Sequence, residues 1–281
     1  MNIKPLVSLV IVDYCKGARV VENVESALRQ QGEFDLEIVV LDNSCDSNNA
    51  DAFVTIEHYS NVKIIINTTN TGYVEATNRG VAETKGEFVF IVNPDIVWLD
   101  KSTIEQSIRT LQSDANIGII GTKQVNDDGT TPETVRSFPN ILAQIARRTF
   151  LRRVSYFSRV VENYEMSGFD YNKDSDVEWV QSSFMVVKRS LWLEIGGLDP
   201  RFYLFMADPD ICYKCWDAGY RVRYISSIEV GADGKRCSAG GLLQFFENKV
   251  LRLHFKDALA YELKYFLKKV PINKLYKSKL R

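Results

Sequence analysis

The sequence predicts an α/β fold: a mainly parallel central sheet flanked by helices. Two observations carry that prediction. Short apolar, β-branched runs alternate with segments of helical periodicity through residues 1–121. Three of those runs end at an aspartate, Asp13, Asp42 and Asp95, which is where open α/β sheets carry their ligands.

The elements follow in order. Residues 5–14 (PLVSLVIVDY) read as a strand, and residues 18–31 as a helix with Val20, Val21, Val24, Ala27 and Leu28 on one face. Residues 35–42 are a second strand, 46–59 a weaker helix and 62–67 a third strand. Residues 74–85 are helical, with Gly86 as the C-cap. The run 87–93 is a strand that stops at Asn93, Pro94 and Asp95. Residues 102–113 form a helix with Ser102 as N-cap and Glu105 completing a capping box, followed by a short strand at 117–121. The second half carries a strand at 179–187, a helix from Ser190, a Gly196-Gly197 turn and an amphipathic helix at 211–218 capped by Gly219. Residues 242–281 form a C-terminal helical extension.

Composition excludes several classes. A length of 281 residues fits one large domain or two small ones. A net charge of −1 offers no basic field for nucleic acid. Cys212 and Cys215 make a C-x-x-C without a second pair or suitably spaced histidines, so the five cysteines read as thiols in a reducing compartment. The apolar stretch 6–12 is too short for a signal sequence or a membrane span. The expectation is a cytoplasmic protein that can lie on the inner face of the cell membrane without crossing it.

The strand-end aspartates define the chemistry. One such residue is commonly a turn or helix cap; three together make a cation or polar-ligand site. No G-x-G-x-x-G follows the first strand and no G-x-x-x-x-G-K-[ST] occurs, which disfavours dinucleotide and P-loop folds. A nucleotide bound here needs another way to neutralise its diphosphate, and a divalent ion on Asp95 supplies one. Asp208 and Asp210 open the helix before Gly219, where the helix dipole alone can account for acids. Asp208 sits one position earlier than the helical run needs and can project into a cleft. Arg136, Arg147, Arg148, Arg152, Arg153 and Arg159 interleave with apolar residues. They read either as a solvated basic face or as a contact for a phosphate-bearing acceptor or an anionic lipid surface.

The motifs VSLVIVDY, EIVVLDNS, NTGYVEATNRGVAETKGEFVFIVNPDI, the long stretch from WVQSSF to DAGYRV, and DGKRCSAGG resemble, in that order, the bacterial family 2 glycosyltransferases, especially the rhamnosyltransferase-like members of O-antigen and capsule biosynthesis. The resemblance covers residues 7–241. It implies a GT-A type domain over 1–241, with a nucleotide-sugar-binding half at 1–121 and an acceptor-binding half at 122–241, followed by a basic amphipathic tail at 242–281. It implies donor contacts from Asp13, Asp42, Asn43, Asn70, Gly72 and Asn78, with Gly80 in the same stretch. Asp95 of the NPD sequence would hold Mg²⁺ or Mn²⁺. Asp208 would be the general base, with Trp179 and Asp210 on the acceptor side. The implied reaction moves a sugar, rhamnose first, from a dTDP- or UDP-linked donor to a glycan or a polyprenyl-diphosphate-linked oligosaccharide, with inversion.

One departure stands out. Related sequences often carry HDHKR where this chain has Ala232, Asp233, Gly234, Lys235 and Arg236. Asp233 or water must then complete a metal shell, and Lys235 and Arg236 are the diphosphate partners. The alternative is a degenerate member that binds a glycan or a partner without catalysis. A sugar-nucleotide pyrophosphorylase is disfavoured, because DYCKGARV lacks the Gly-rich basic loop that chemistry uses. From Lys264 onward every charged residue is basic, which fits either a docked helix with a basic end or attachment to an anionic membrane surface.

Overall fold

The computed structural model describes residues 4–234, 249–266 and 268. The first half runs β1 (Leu6–Asp13), α1 (Gly17–Leu28), β2 (Asp35–Asp42), α2 (Ser47–Ala50), β3 (Val62–Ile66), α3 (Tyr73–Ala82), β4 (Phe88–Val92), β5 (Val97–Trp98), α4 (Thr103–Ser113) and β6 (Ile117–Asn126). It continues with β7 (Val135–Arg136), α5 (Ile141–Arg148), α6 (Ser155–Glu165), β8 (Ser175–Asp176), β9 (Trp179–Val180), β10 (Phe184–Lys188), α7 (Arg189–Glu194), α8 (Ala207–Asp217), β11 (Arg221–Ala232) and α9 (Lys249–Tyr265). One sheet has the order β3-β2-β1-β4-β10-β6-β11-β5, with β8 added on β11; β7 and β9 pair separately. Strands β3, β2, β1 and β4 are mutually parallel, as are β6 and β11, while β10 runs antiparallel between β4 and β6. Strands β10 and β11 therefore lie in the same sheet as β1–β4.

The period-two alternation of a strand sorts its side chains onto two faces. In β1, Val7, Leu9 and Ile11 pack with Val20, Val24 and Ala27 of α1 and Ile104, Ile108 and Leu111 of α4. Val10 points the other way, into a core shared with α3, α7, α8 and α9. Both faces being covered explains why the strands read as continuous apolar runs.

Several local expectations are corrected. The 46–59 helix is two short pieces, α2 and a 3₁₀ turn at Asp51–Thr55. The capping box does not form: Ser102 Oγ donates to Asp100, and Glu105 accepts from the Glu33 N–H and from Arg109. The strand expected at 179–187 is broken at residues 181–183 into β9 and β10. Helix α8 begins at Ala207, after Met206 turns the chain with φ +64°, so Asp208 lies inside the first turn rather than ahead of the helix.

Gly86 is not a C-cap. Helix α3 ends at Glu83, and Gly86 instead lets the chain press against β1. Its N–H donates to Ser8 Oγ at 2.8 Å, and a Cβ there would sit 2.6 Å from the Ser8 backbone nitrogen and 2.7 Å from the Leu6 carbonyl oxygen. Backbone cannot yield as a side chain can. Gly86→Ala is expected to lower unfolding stability by about 1–3 kcal/mol, measured by urea titration; an unchanged midpoint would remove the close-packing account.

Candidate active site

The first cluster follows from strand register. Strands β1 and β2 are parallel with Asp13 opposite Asp42, and both side chains are fully buried. Two adjacent buried carboxylates need donors. Asn49 Nδ2 donates to Asp13 at 2.6 Å and to Asp42 at 3.1 Å. The Lys16 N–H donates to Asp13 at 3.0 Å and the Ser44 N–H to Asp42 at 2.8 Å. Burial, with the neighbouring charge of Asp42, pushes the Asp13 carboxyl above the usual range against the Asn49 hydrogen bond. Asp42 Oδ2 is buried and has no hydrogen-bond partner among the described residues. The loops after the two strands are tied together, since the Cys15 N–H donates to Ser44 Oγ at 2.7 Å.

The N-x-G stretch shapes the wall beside that cluster. Gly72 takes φ +87° and lies against the Tyr203 ring, which a Cβ would meet at 2.7 Å. Asn70 accepts from the Gly72 N–H and from the Tyr203 hydroxyl. Two residues expected at the donor have partners inside the protein. The Asn43 amide is spent inside the protein, donating to the Gly72 carbonyl and accepting from Asn67 and Thr71. Asn78 straps α3 to Leu198 through both of its amide atoms. Gly80 contacts no ligand surface; it lets α3 settle on Val10 and Leu41.

The second cluster lies beyond β4. Asp95 is 7% exposed. Lys16 Nζ lies 3.3 Å from Asp95 Oδ1 and 2.9 Å from Asp233 Oδ2, and the Asp233 N–H donates to Asp95. Burial, then the hydrogen bond and charge of Asp233, raise the Asp95 carboxyl against the pull of Lys16. The surrounding cleft is lined by Asn93, Gln124, Glu133, Gln181 and Ser183 as well as the two aspartates. Among the described residues no three His, Cys, Asp or Glu side chains converge on one point. The two carboxylates already share one cation, the Lys16 ammonium, and are the hard oxygen donors that Mg²⁺ and Mn²⁺ take. As hard oxygen donors they fit a divalent ion. Lys235 and Arg236 lie outside the described residues.

The residues between β9 and β10 join this cleft to Asp208. Ser183 lines the cleft and accepts from the Asn93 N–H through its carbonyl at 2.9 Å. Its neighbour Ser182 lies beside the Asp208 carboxylate, and its hydroxyl accepts from Tyr73 at 2.7 Å. Asp208 is half-buried; burial raises its carboxyl and the Ser182 hydrogen bonds oppose that rise.

Asp210 does a different job from the acceptor contact expected of it. It is fully buried, accepting from Lys264 at 2.5 Å and Tyr265 at 2.7 Å of α9. Lys264 also holds Asp199, so this lysine points into the protein rather than belonging to an outward basic tail. Asp257 of α9 accepts the N–H groups of Tyr203, Leu204 and Phe205, the loop leading into α8. Trp179 is 6% exposed and donates its indole N–H to the Ser137 carbonyl at 2.7 Å, which gives it a packing role. Part of the arginine run also turns inward: Arg147 and Arg152 bind buried Glu165 at 2.8 and 3.0 Å. Cys212 and Cys215 are buried free thiols.

Sequence reasoning missed Lys16, Asn49, Ser182 and Tyr73. Lys16 lies in DYCKGARV, a loop without a glycine-rich motif, and the serine pair in WVQSSF carries no motif of its own.

Comparison with known proteins agrees with this architecture. Residues 5–236 match the model of the glycosyltransferase-like family 2. An N-acetylglucosaminyl-diphospho-decaprenol L-rhamnosyltransferase of Mycobacterium tuberculosis is 24% identical over 237 residues, 79% of this chain and 74% of that one. Among solved structures, a mannosyltransferase of Pyrobaculum calidifontis in complex with GDP-Man and Mn²⁺ superposes with a TM-score of 0.61 at 16% identity, covering 99% of this chain and 70% of that one. TarS 1–349 of S. aureus in complex with UDP-GlcNAc gives 0.60 at 15% identity, covering 98% and 70%. With its GT-A type fold and a family match spanning most of its length, the chain belongs to glycosyltransferase-like family 2.

Proposed function

We propose that this glycosyltransferase works with inversion, moving a hexose from a pyrimidine nucleoside diphosphate to a hydroxyl of a glycan or of a polyprenyl-diphosphate-linked oligosaccharide. Rhamnose is the first choice of sugar, by analogy with the mycobacterial relative. The observation that carries the reading is the adjacency of Ser183 and Ser182: one lines the Asp95–Asp233 cleft and the other lies beside Asp208. A diphosphate partner site and a carboxylate base are thereby joined by two consecutive residues.

Each group has a distinct part. Asp42 Oδ2, an unpaired buried acceptor, suits the imide N–H of uracil or thymine, with Asp13 held beside it. Asp95 and Asp233 would hold Mg²⁺ or Mn²⁺, and Lys235 and Arg236 are our candidates for the diphosphate. When bound, such an ion stabilises the charge that develops on the departing diphosphate; the Pyrobaculum mannosyltransferase was solved in complex with GDP-Man and Mn²⁺. Asp208 takes the proton of the attacking hydroxyl. One base facing the donor implies a single displacement, hence inversion. Because burial raises the Asp208 carboxyl, the base is lost to protonation at a higher pH than an ordinary aspartate.

Asp208→Asn is expected to lower kcat by about 10²–10⁴-fold while donor affinity, read by calorimetry, stays near that of the parent. Turnover at a tenth of the parental rate would move the base elsewhere. Lys16→Met leaves two facing carboxylates without their ammonium, and metal-free stability is expected to fall by about 1.5–3 kcal/mol. Mn²⁺ should then raise the melting temperature more in the variant than in the parent; equal rises would separate Lys16 from the metal site.

A further inference from the structure

The inward side of α9 is accounted for: His254, Asp257, Tyr261 and Tyr265 are buried against the body of the protein. The outward side is unusual. Its exposed residues are Arg252, Phe255, Lys256, Leu259 and Leu263, with Phe266 just past the helix end. Phe255, Leu259, Leu263 and Phe266 are 60%, 46%, 72% and 80% exposed. At 3.6 residues per turn all six fall within an arc of about 100°. No acid is exposed on this helix, since Asp257 is buried and Glu262 half-buried. The α5–α6 segment carries a similar stretch up to Val161, ahead of the exposed Glu162. It exposes Phe150, Val154, Tyr156, Arg153 and Arg159, and residues 134–161 contain no Asp or Glu at all. Tyr213 of α8 packs on Phe138, ahead of α5, at 5.4 Å and on Tyr265 of α9 at 4.0 Å.

A chain with net charge −1 thus presents a helix face made only of large apolar and basic side chains. We propose that this face of α9 lies in the interface of an anionic lipid surface. The rings and leucines enter the acyl boundary, and Arg252 and Lys256 reach the headgroups along their aliphatic stems. A two-fold dimer through the same face is opposed by its charge, because a self-complementary interface would set basic groups against basic groups. Among the described residues no helix is long and apolar enough to cross a membrane, so the contact is a docking and not a span. It differs from attachment through the terminal basic residues, most of which lie outside the described residues, and it stands independently of the donor chemistry proposed above.

The test is co-sedimentation of the full chain with phosphatidylcholine vesicles, with and without phosphatidylglycerol. The parent should pellet with the anionic vesicles and be released by salt. Leu263→Glu combined with Phe266→Glu should weaken partitioning by more than about tenfold, and Arg252→Glu with Lys256→Glu should abolish the preference for anionic lipid. All these side chains are exposed, so melting temperature and nucleotide binding should stay at parental values, which separates loss of docking from loss of the active site. Failure of the parent to pellet, or equal pelleting with neutral vesicles, would overturn the proposal. So would binding that survives both double variants, which would assign it to residues beyond 268. A dimer in sedimentation velocity that Leu263→Glu dissociates would make the face a protein interface instead.

Discussion

The parallel register of β1 with β2 and β4 is the constraint on which the site depends. It sets Asp13 beside Asp42 and aligns Ile11 with Val92, so the chain leaving β4 delivers Asp95 to the same end of the sheet. Carboxylates gathered there in a partly dry environment repel one another and resist ionisation. The protein answers locally: Asn49 for the first pair, Lys16 for the second. Lys16 serves both, since its N–H caps Asp13 while its ammonium joins Asp95 to Asp233. The two clusters are therefore mechanically connected through one residue of the β1–α1 turn.

The second half of the fold supplies the proposed base by a different route. Helix α8 carries two acids in its first turn, and the protein separates their roles by burial. Asp210 is sealed under α9 by Lys264 and Tyr265; Asp208, two residues before it, stays half-buried on Ser182. The same helix α9 fixes the loop before α8 through Asp257. A C-terminal element thus sets the position of the proposed base while its opposite face remains open to the surroundings.

Much of this was legible in the sequence. Strong strand periodicity and the terminal aspartates gave the sheet and placed Asp13, Asp42 and Asp95 together, because alternation and strand ends are local signals. What depended on long-range contacts was not legible. Nothing near Asn78 points to Leu198, 120 positions away, and nothing near Asp210 points to Lys264. Gly86 looked like a helix cap because sequence shows spacing, not the Ser8 backbone it presses against. Acids at a helix start are ambiguous in the same way: dipole, base and buried pair share one residue type, and only burial distinguished Asp208 from Asp210.

The central claim is that the carboxyl end of this sheet binds a pyrimidine nucleoside diphosphate together with a divalent ion. The most direct measurement is thermal unfolding with UDP, dTDP and GDP, each with and without Mn²⁺. A ligand at one hundred times its dissociation constant adds about 2.7 kcal/mol to stability. The account predicts a rise for UDP or dTDP that is much larger with Mn²⁺, and little for GDP. No rise with any nucleotide, with or without the metal, would contradict it.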